Sequence, residues 1–134
     1  MPLSLSIVTP SRAVVETEAD SVVAPGTEGE FGVLPGHAPL LVALRAGVVR
    51  YTEGGRTSRI AIAGGLAEVT QERVTVLAPA AESPDDIDPT EAEARRANAA
   101  AALERAGVNA PLDEVARLTE DLERAQARVD VLRD

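Results

Sequence analysis

The chain has 134 residues, and none of them is cysteine, lysine or tryptophan; phenylalanine, tyrosine and histidine occur once each. Without cysteine there are no disulfides, no thiolate nucleophiles and no cysteine-ligated metal. A reducing compartment fits this composition. Zinc or iron centres without cysteine need two or three imidazoles with carboxylates, and His37 stands alone. A serine hydrolase would need His37 as its base and a G-x-S-x-G elbow, and that motif is absent. A Walker loop ends on lysine, which is also absent. The expectation is no catalytic residue and no metal. The first residues, MPLSLSIVTPSR, carry neither a basic n-region nor a long apolar core, so no signal peptide is expected. No run approaches the ~18 apolar residues of a membrane span. A soluble chain is expected, one that reaches a membrane only through a complex.

What is present divides into two parts. The formal net charge is -9, and every one of the 13 basic residues is arginine. Residues 1–81 hold 6 Arg and 8 Asp plus Glu, a net charge of -2; residues 82–134 hold 7 Arg and 14 Asp plus Glu, a net charge of -7. The acidic balance, with no basic stripe, argues against nucleic acid as a partner. The uneven charge points to two units with different tasks.

The first unit reads as β-structure. Leu3, Leu5 and Ile7 alternate with Ser4 and Ser6, as in a half-buried strand. Ala13–Thr17 is a second short run, and Asp20–Ala24 a third, stopped by Pro25 and Gly26. Gly47–Thr52 and Ser58–Ala63 flank a Gly-Gly turn, and Leu66–Thr70 and Val74–Ala78 flank a second turn. Short, valine-rich strands at this spacing predict an antiparallel β-sandwich or small barrel over residues 1–84, with small alanines set between the sheets. Gly64-Gly65 reads as a bend at a strand end rather than a phosphate nest.

The second unit, residues 85–134, reads as a helical hairpin after a polar linker. Asp88 is placed as an N-cap, Pro89 at the first helical position and Glu91 as the closing half of a capping box. Helix is predicted from Ala92 to Arg105, ending at Gly107, and again from near Pro111 to the end. Val115, Leu118, Leu122, Ala125, Val129 and Leu132 are spaced 3, 4, 3, 4, 3 and form an apolar seam. So thin a seam does not offset the ordering entropy of two helices. The hairpin must dock on the sandwich or on a partner, and two possible docks make it a candidate switch. Arg117, Arg124 and Arg128 fall within about 40° on a helical wheel. Asp113–Arg117 and Glu120–Arg124 are i,i+4 pairs of favourable order, so these arginines serve either a solvated face or a partner contact.

Residues 29–41, GEFGVLPGHAPLL, fit neither part easily. They hold three glycines, two prolines, the one histidine and the one phenylalanine. Glu30–Val33 reads as a short strand, Leu34-Pro35-Gly36 as a turn, and His37-Ala38-Pro39 as an extended segment leading to a strand from Leu40. Phe31 and Leu40 are expected to plug the core, while Glu30 and His37 flank a stiffened turn suited to making contacts.

This stretch, from Glu28 to Leu40, resembles the signature loop of the epsilon subunit of bacterial rotary (F-type) ATP synthase. Ala63–Val69 and Val74–Ala78 resemble that family's later strands, and a sandwich followed by a helical hairpin is its domain order. The resemblance implies a non-catalytic central-stalk subunit that binds the gamma subunit and the membrane-embedded c-ring and meets the alpha and beta subunits. It implies a peripheral place on the cytoplasmic face of the bacterial plasma (inner) membrane. By position, Glu30, Phe31, Leu34, Pro35, Gly36, His37, Ala38 and Pro39 become the rotor contact. The hairpin would fold down on the sandwich or extend to block ATP hydrolysis, with Arg117, Arg124 and Arg128 meeting the beta subunit. Some members bind ATP through a motif that here covers Ile87, Asp88 and Ala92, with Arg95 and Arg96 one turn on. Glu91 replaces the motif arginine, and a carboxylate repels phosphate. No cofactor is therefore expected, and ATP is disfavoured as a regulatory ligand. A rival reading from the residues alone is a free-standing scaffold whose hairpin binds a partner helix.

Overall fold

A computed structural model describes residues 2–133. Eight strands come first: β1 Leu3–Val8, β2 Ala13–Ala19, β3 Ser21–Gly26, β4 Gly29–Val33, β5 Leu40–Glu53, β6 Arg56–Val69, β7 Arg73–Leu77 and β8 Ala81–Glu82. A single 3-10 turn at Pro84–Asp86 leads into α1, Pro89–Ala106, and α2, Leu112–Asp130. The strand order is β2-β1-β7-β6-β5-β3-β4, with β8 added to β6. Every pairing is antiparallel except β1 with β7, which is parallel. The expected sandwich followed by two helices is the fold.

Its core follows from the alternation along each strand. Leu3, Leu5 and Ile7 of β1 are buried with Val74 and Val76 of β7, Ala67 and Val69 of β6, Val49 of β5 and Val22 of β3. Phe31 packs against this cluster, as the sequence suggests. Leu40 does not: it is 41% exposed.

Four short strands expected between residues 40 and 70 are in fact two long ones. β5 and β6 hold one register from Leu40↔Val69 to Glu53↔Arg56, with only Arg45 and Gly64 left out of the ladder. The Gly64-Gly65 bend therefore lies inside β6, not at a strand end. Gly65 has a φ of 137°, and a Cβ there would lie 2.1 Å from the Leu77 carbonyl oxygen. Only glycine lets the end of β7 approach so closely. β3 likewise runs through Pro25 and Gly26 rather than stopping before them. The ladder to β5 is interrupted between Val23 and Gly26, so the missing Pro25 donor costs no bond there.

The β5–β6 ribbon is apolar on both faces, which a single strand pattern obscures. Val49 and Ile60 are cross-strand partners in the sandwich core. The next pair, Val48 and Ala61, faces the other way and is buried with Ile87, Ala92, Ala127, Val129 and Val131 of the helical region. Ala61 is thus not a spacer between sheets; it is the floor on which α2 rests. The hairpin folds down on the sandwich.

Candidate functional site: loop, sheet face and helical arm

The loop lies at one end of the sandwich. β4 is the last strand in the order, and the chain leaves it through Leu34–Pro39 before entering β5. The Gly36 amide donates to the Gln71 carbonyl in the β6–β7 turn at 2.8 Å, and the His37 amide to the Leu34 carbonyl at 3.1 Å. Gly36 takes a φ of 87°, a left-handed conformation that suits the turn. The His37 Nδ1–H donates to the neighbouring Ala38 carbonyl at 2.6 Å, so the ring is held by its own backbone. Glu30 does not join His37; its carboxylate accepts from Arg50 at 3.2 Å. Leu34, Pro35, Gly36, Ala38 and Pro39 are exposed, and Leu34 is 64% so.

A second surface was not visible to motif reading. Register puts Ala13 beside Val8, Val8 beside Leu77, Leu77 beside Leu66, and Leu66 beside Ala43. These form one apolar row across five strands. Leu77 is 49% exposed and Leu66 38%; Leu41, two residues along β5 from Ala43, is 65% exposed. The signal was available in part. Val74 and Val76 take the inward phase of β7, which leaves Leu77 on the outward phase where a polar residue is usual. Isolated exposed leucines carry little information, and only the register joins them into a patch.

The third feature is the docked arm. Asp88 caps α1 through its side chain, which accepts from the Thr90 and Glu91 amides. Ile87 and Ala92, at positions N′ and N4, are buried together as a hydrophobic staple. Glu91 does not close the capping box. Its carboxylate goes to Arg128 of α2 and Arg95 of α1 instead, because two guanidiniums outweigh one amide. Arg96 pairs with Glu93.

Along α2 the seam divides. Val115, Leu118 and Leu122 are half-buried, and Leu132 packs half-buried at the edge of the helix–sheet cluster. Ala125 and Val129 are buried together with Ala127 and Val131, which the seam did not include. α2 ends at Asp130 rather than at the chain end, and its last turns are covered from two sides, which widens the buried face beyond a heptad stripe.

The arginine stripe divides as well. Arg117 reaches forward to Asp121 at 3.9 Å, not back to Asp113, whose carboxylate accepts from the Glu114 amide at the helix start. Glu120 and Arg124 form no ion pair among the described residues, and Arg124 lines a cleft. Arg128 is the exception, with its side chain only 19% exposed. Its Nε donates to Glu82 at 2.8 Å and its Nη2 to Glu91 at 2.9 Å, and longer bonds complete a fork to each carboxylate. The Arg128 hydrogen bond holds the Glu91 carboxyl below its ordinary range against the opposing desolvation, and the Arg128 and Arg95 charges add smaller lowering effects.

Beside this triad lies a cleft of about 680 Å³ between β6 and the helices, lined by Arg95, Asn98, Asp121 and Arg124 together with Glu82, Glu91 and Arg128. Of the residues at the nucleotide-type motif, Glu91 and Arg95 line it; Ile87, Asp88 and Ala92 serve the helix start, and Arg96 serves Glu93. No group of three or more His, Cys, Asp and Glu that could hold a metal occurs among the described residues. No described helix is long and apolar enough to cross a membrane.

A family model for the β-sandwich domain of ATP synthase delta/epsilon chains matches residues 2–84. The ATP synthase epsilon chain of Nitratidesulfovibrio vulgaris is 45% identical over 96% of this chain and 94% of its own length. That of Herpetosiphon aurantiacus is 42% identical over 98% and 94%. That of Pelotomaculum thermopropionicum is 50% identical over 71% of each chain. Among solved structures, a chain in the Euglena gracilis mitochondrial ATP synthase (OSCP/F1/c-ring) superposes with a TM-score of 0.81, at 21% identity, over 98% of this chain and 81% of that one. At that identity the likeness speaks for the fold. Sandwich, arm and near full-length relatives agree: the chain belongs to the ATP synthase delta/epsilon family, and is an epsilon chain.

Proposed function

We propose that this chain couples the catalytic head of a proton-translocating F-type ATP synthase to its c-ring, without catalysing any step, and that its helical arm restrains ATP hydrolysis. One observation carries the coupling role: an apolar row of Val8, Leu77 and Leu66 crosses a sheet face that the arm leaves exposed. Such a row is costly in water and suits a permanent neighbour. We assign it to the gamma subunit. The loop presents exposed Leu34 on a backbone already fixed by the Gly36–Gln71 bond, so little entropy is lost on docking. We assign the loop, with Glu30 and His37, to the c-ring contact. The chain then sits peripherally at the cytoplasmic face of the plasma membrane, through the complex.

The test is co-purification of the tagged chain with gamma, alpha and beta. Leu66→Asp with Leu77→Asp is expected to abolish recovery of gamma while the isolated chain keeps its circular dichroism. Undiminished recovery would move the gamma site elsewhere. For the ring contact, Glu30→Ala with His37→Ala is expected to weaken ATP-driven proton pumping in membrane vesicles, and unchanged pumping would count against it.

A further inference from the structure

Three separate elements converge on one side chain. Glu82 belongs to β8, where its cross-strand partner is Ala61, so it stands on the sheet face that carries α2. Glu91 lies in the first turn of α1. Arg128 lies in α2, between the buried pair Ala127 and Val129. We propose that Arg128 is a latch that holds the arm on the sandwich, with Glu82 and Glu91 occupying its guanidinium as an anionic ligand would, so that docking needs no ligand.

The geometry supports a latch rather than a decorative surface pair. The apolar contact under the arm is narrow, and three of its seven buried members, Ala61, Ala92 and Ala127, are alanines. Beyond it the open cleft separates the helices from β6. The triad stands at the boundary between the two. Its two forks need the planar five-donor guanidinium, which lysine cannot supply. They also fix the register, since a slide of α2 by one turn, about 5.4 Å, would break both. The charges facing the triad are balanced. Arg95 of α1 pairs with Glu91, while Arg124 and Asp121 of α2 and Asn98 of α1 line the adjoining cleft. A polyanion entering the cleft would have to displace carboxylates already bound on both sides of Arg128.

The latch is tested on the isolated full chain. Because the chain has no cysteine, Glu28→Cys and Val108→Cys can carry a pair of spin labels, one on the sandwich and one on the exposed arm tip. In the otherwise native chain one docked distance is expected, without added ligand. Glu82→Gln with Glu91→Gln keeps shape and removes the anions; it is expected to raise the undocked population roughly tenfold. Arg128→Met should do the same, Arg128→Lys should fall between, and 1 M salt should shift the native chain in that direction. Amide exchange read in the same samples separates undocking from unfolding: Ala125–Val131 should lose protection while β1 and β7 keep it. Unchanged distances and unchanged α2 protection in both the glutamine pair and Arg128→Met would overturn the latch. Its importance to the complex rests on the restraining role proposed above. That role fails separately, if removing the arm leaves hydrolysis unchanged.

Discussion

Gly65 shows how much a single residue can decide. Its absent side chain is what allows the Leu77 carbonyl to sit where a Cβ would be, 2.1 Å away, while β6 bends. Gly65→Ala should therefore destabilise the sandwich by at least about 2 kcal/mol, read as a drop in the denaturant midpoint at unchanged slope. A midpoint within experimental error of the native one would mean that the strand end relaxes without cost. His37→Ala should leave the midpoint unchanged within about 0.5 kcal/mol, since among the described residues its ring bonds only the adjacent carbonyl. At Glu91 the substitution that the sequence flagged has a stronger consequence than repulsion of phosphate. The carboxylate occupies Arg128 donors that would otherwise be open to an anion. ATP should accordingly bind the isolated chain no more tightly than about 1 mM, or -4 kcal/mol, and micromolar affinity by calorimetry would contradict this. Motif reading found Glu91 and Arg128 separately. It could not pair them, because 37 residues and a change of helix separate the two and no local spacing encodes that contact.

Elements were legible where one period governed them. β1 and β7 alternate cleanly, and α1 carries its own punctuation in Asp88, Pro89 and Gly107. Legibility failed where two demands met in one segment. The Ile60–Ala63 run is apolar in both phases because one face meets the core and the other meets the arm, so the covered outer face gave no alternation to read. The two-residue β8 is too short to carry a pattern, yet it delivers Glu82 to the latch. The docked arm also has a pH signature. Glu91 has an ordinary value of 4.5, and the Arg128 hydrogen bond lowers it in the docked state. A carboxylate lowered by docking adds stability that is whole above its undocked value and is lost as pH falls through the docked one. Docking should thus hold steady from pH 8 to about 5 and weaken below about 4.5, with α2 losing amide protection before the core strands. Glu91→Gln should flatten that part of the profile, and an identical profile in the variant would assign the acid loss to other carboxylates.

At the scale of the whole molecule, sandwich and arm are joined by few apolar contacts, and that is what a restraint requires. The sandwich has its own core, built from β1 to β7 and closed by Ala78 and Ala81, without a residue from either helix. The arm has no comparable core; its buried side chains are shared with Val48 and Ala61 of the sheet. Residues 1–84 should therefore fold cooperatively alone and still bind gamma, whereas the arm without a dock should be largely unfolded. A small docking energy leaves room for a second dock, and a difference of a few kcal/mol between two docks sets the populations. The net charge of -7 over residues 82–134 opposes docking on an acidic partner and favours the docked form, which makes for a mild restraint. Deleting residues 85–134 should leave the complex assembled and able to make ATP. It should also raise ATP hydrolysis by the purified catalytic head, by less than about twofold, because relieving an inhibited fraction below one half cannot double the rate. The rates are compared in one preparation, with and without the arm, at fixed salt because the latch is ionic. Equal rates would reduce the arm to a prop that shields Val48 and Ala61, and the docked form would then be its working state rather than its resting one.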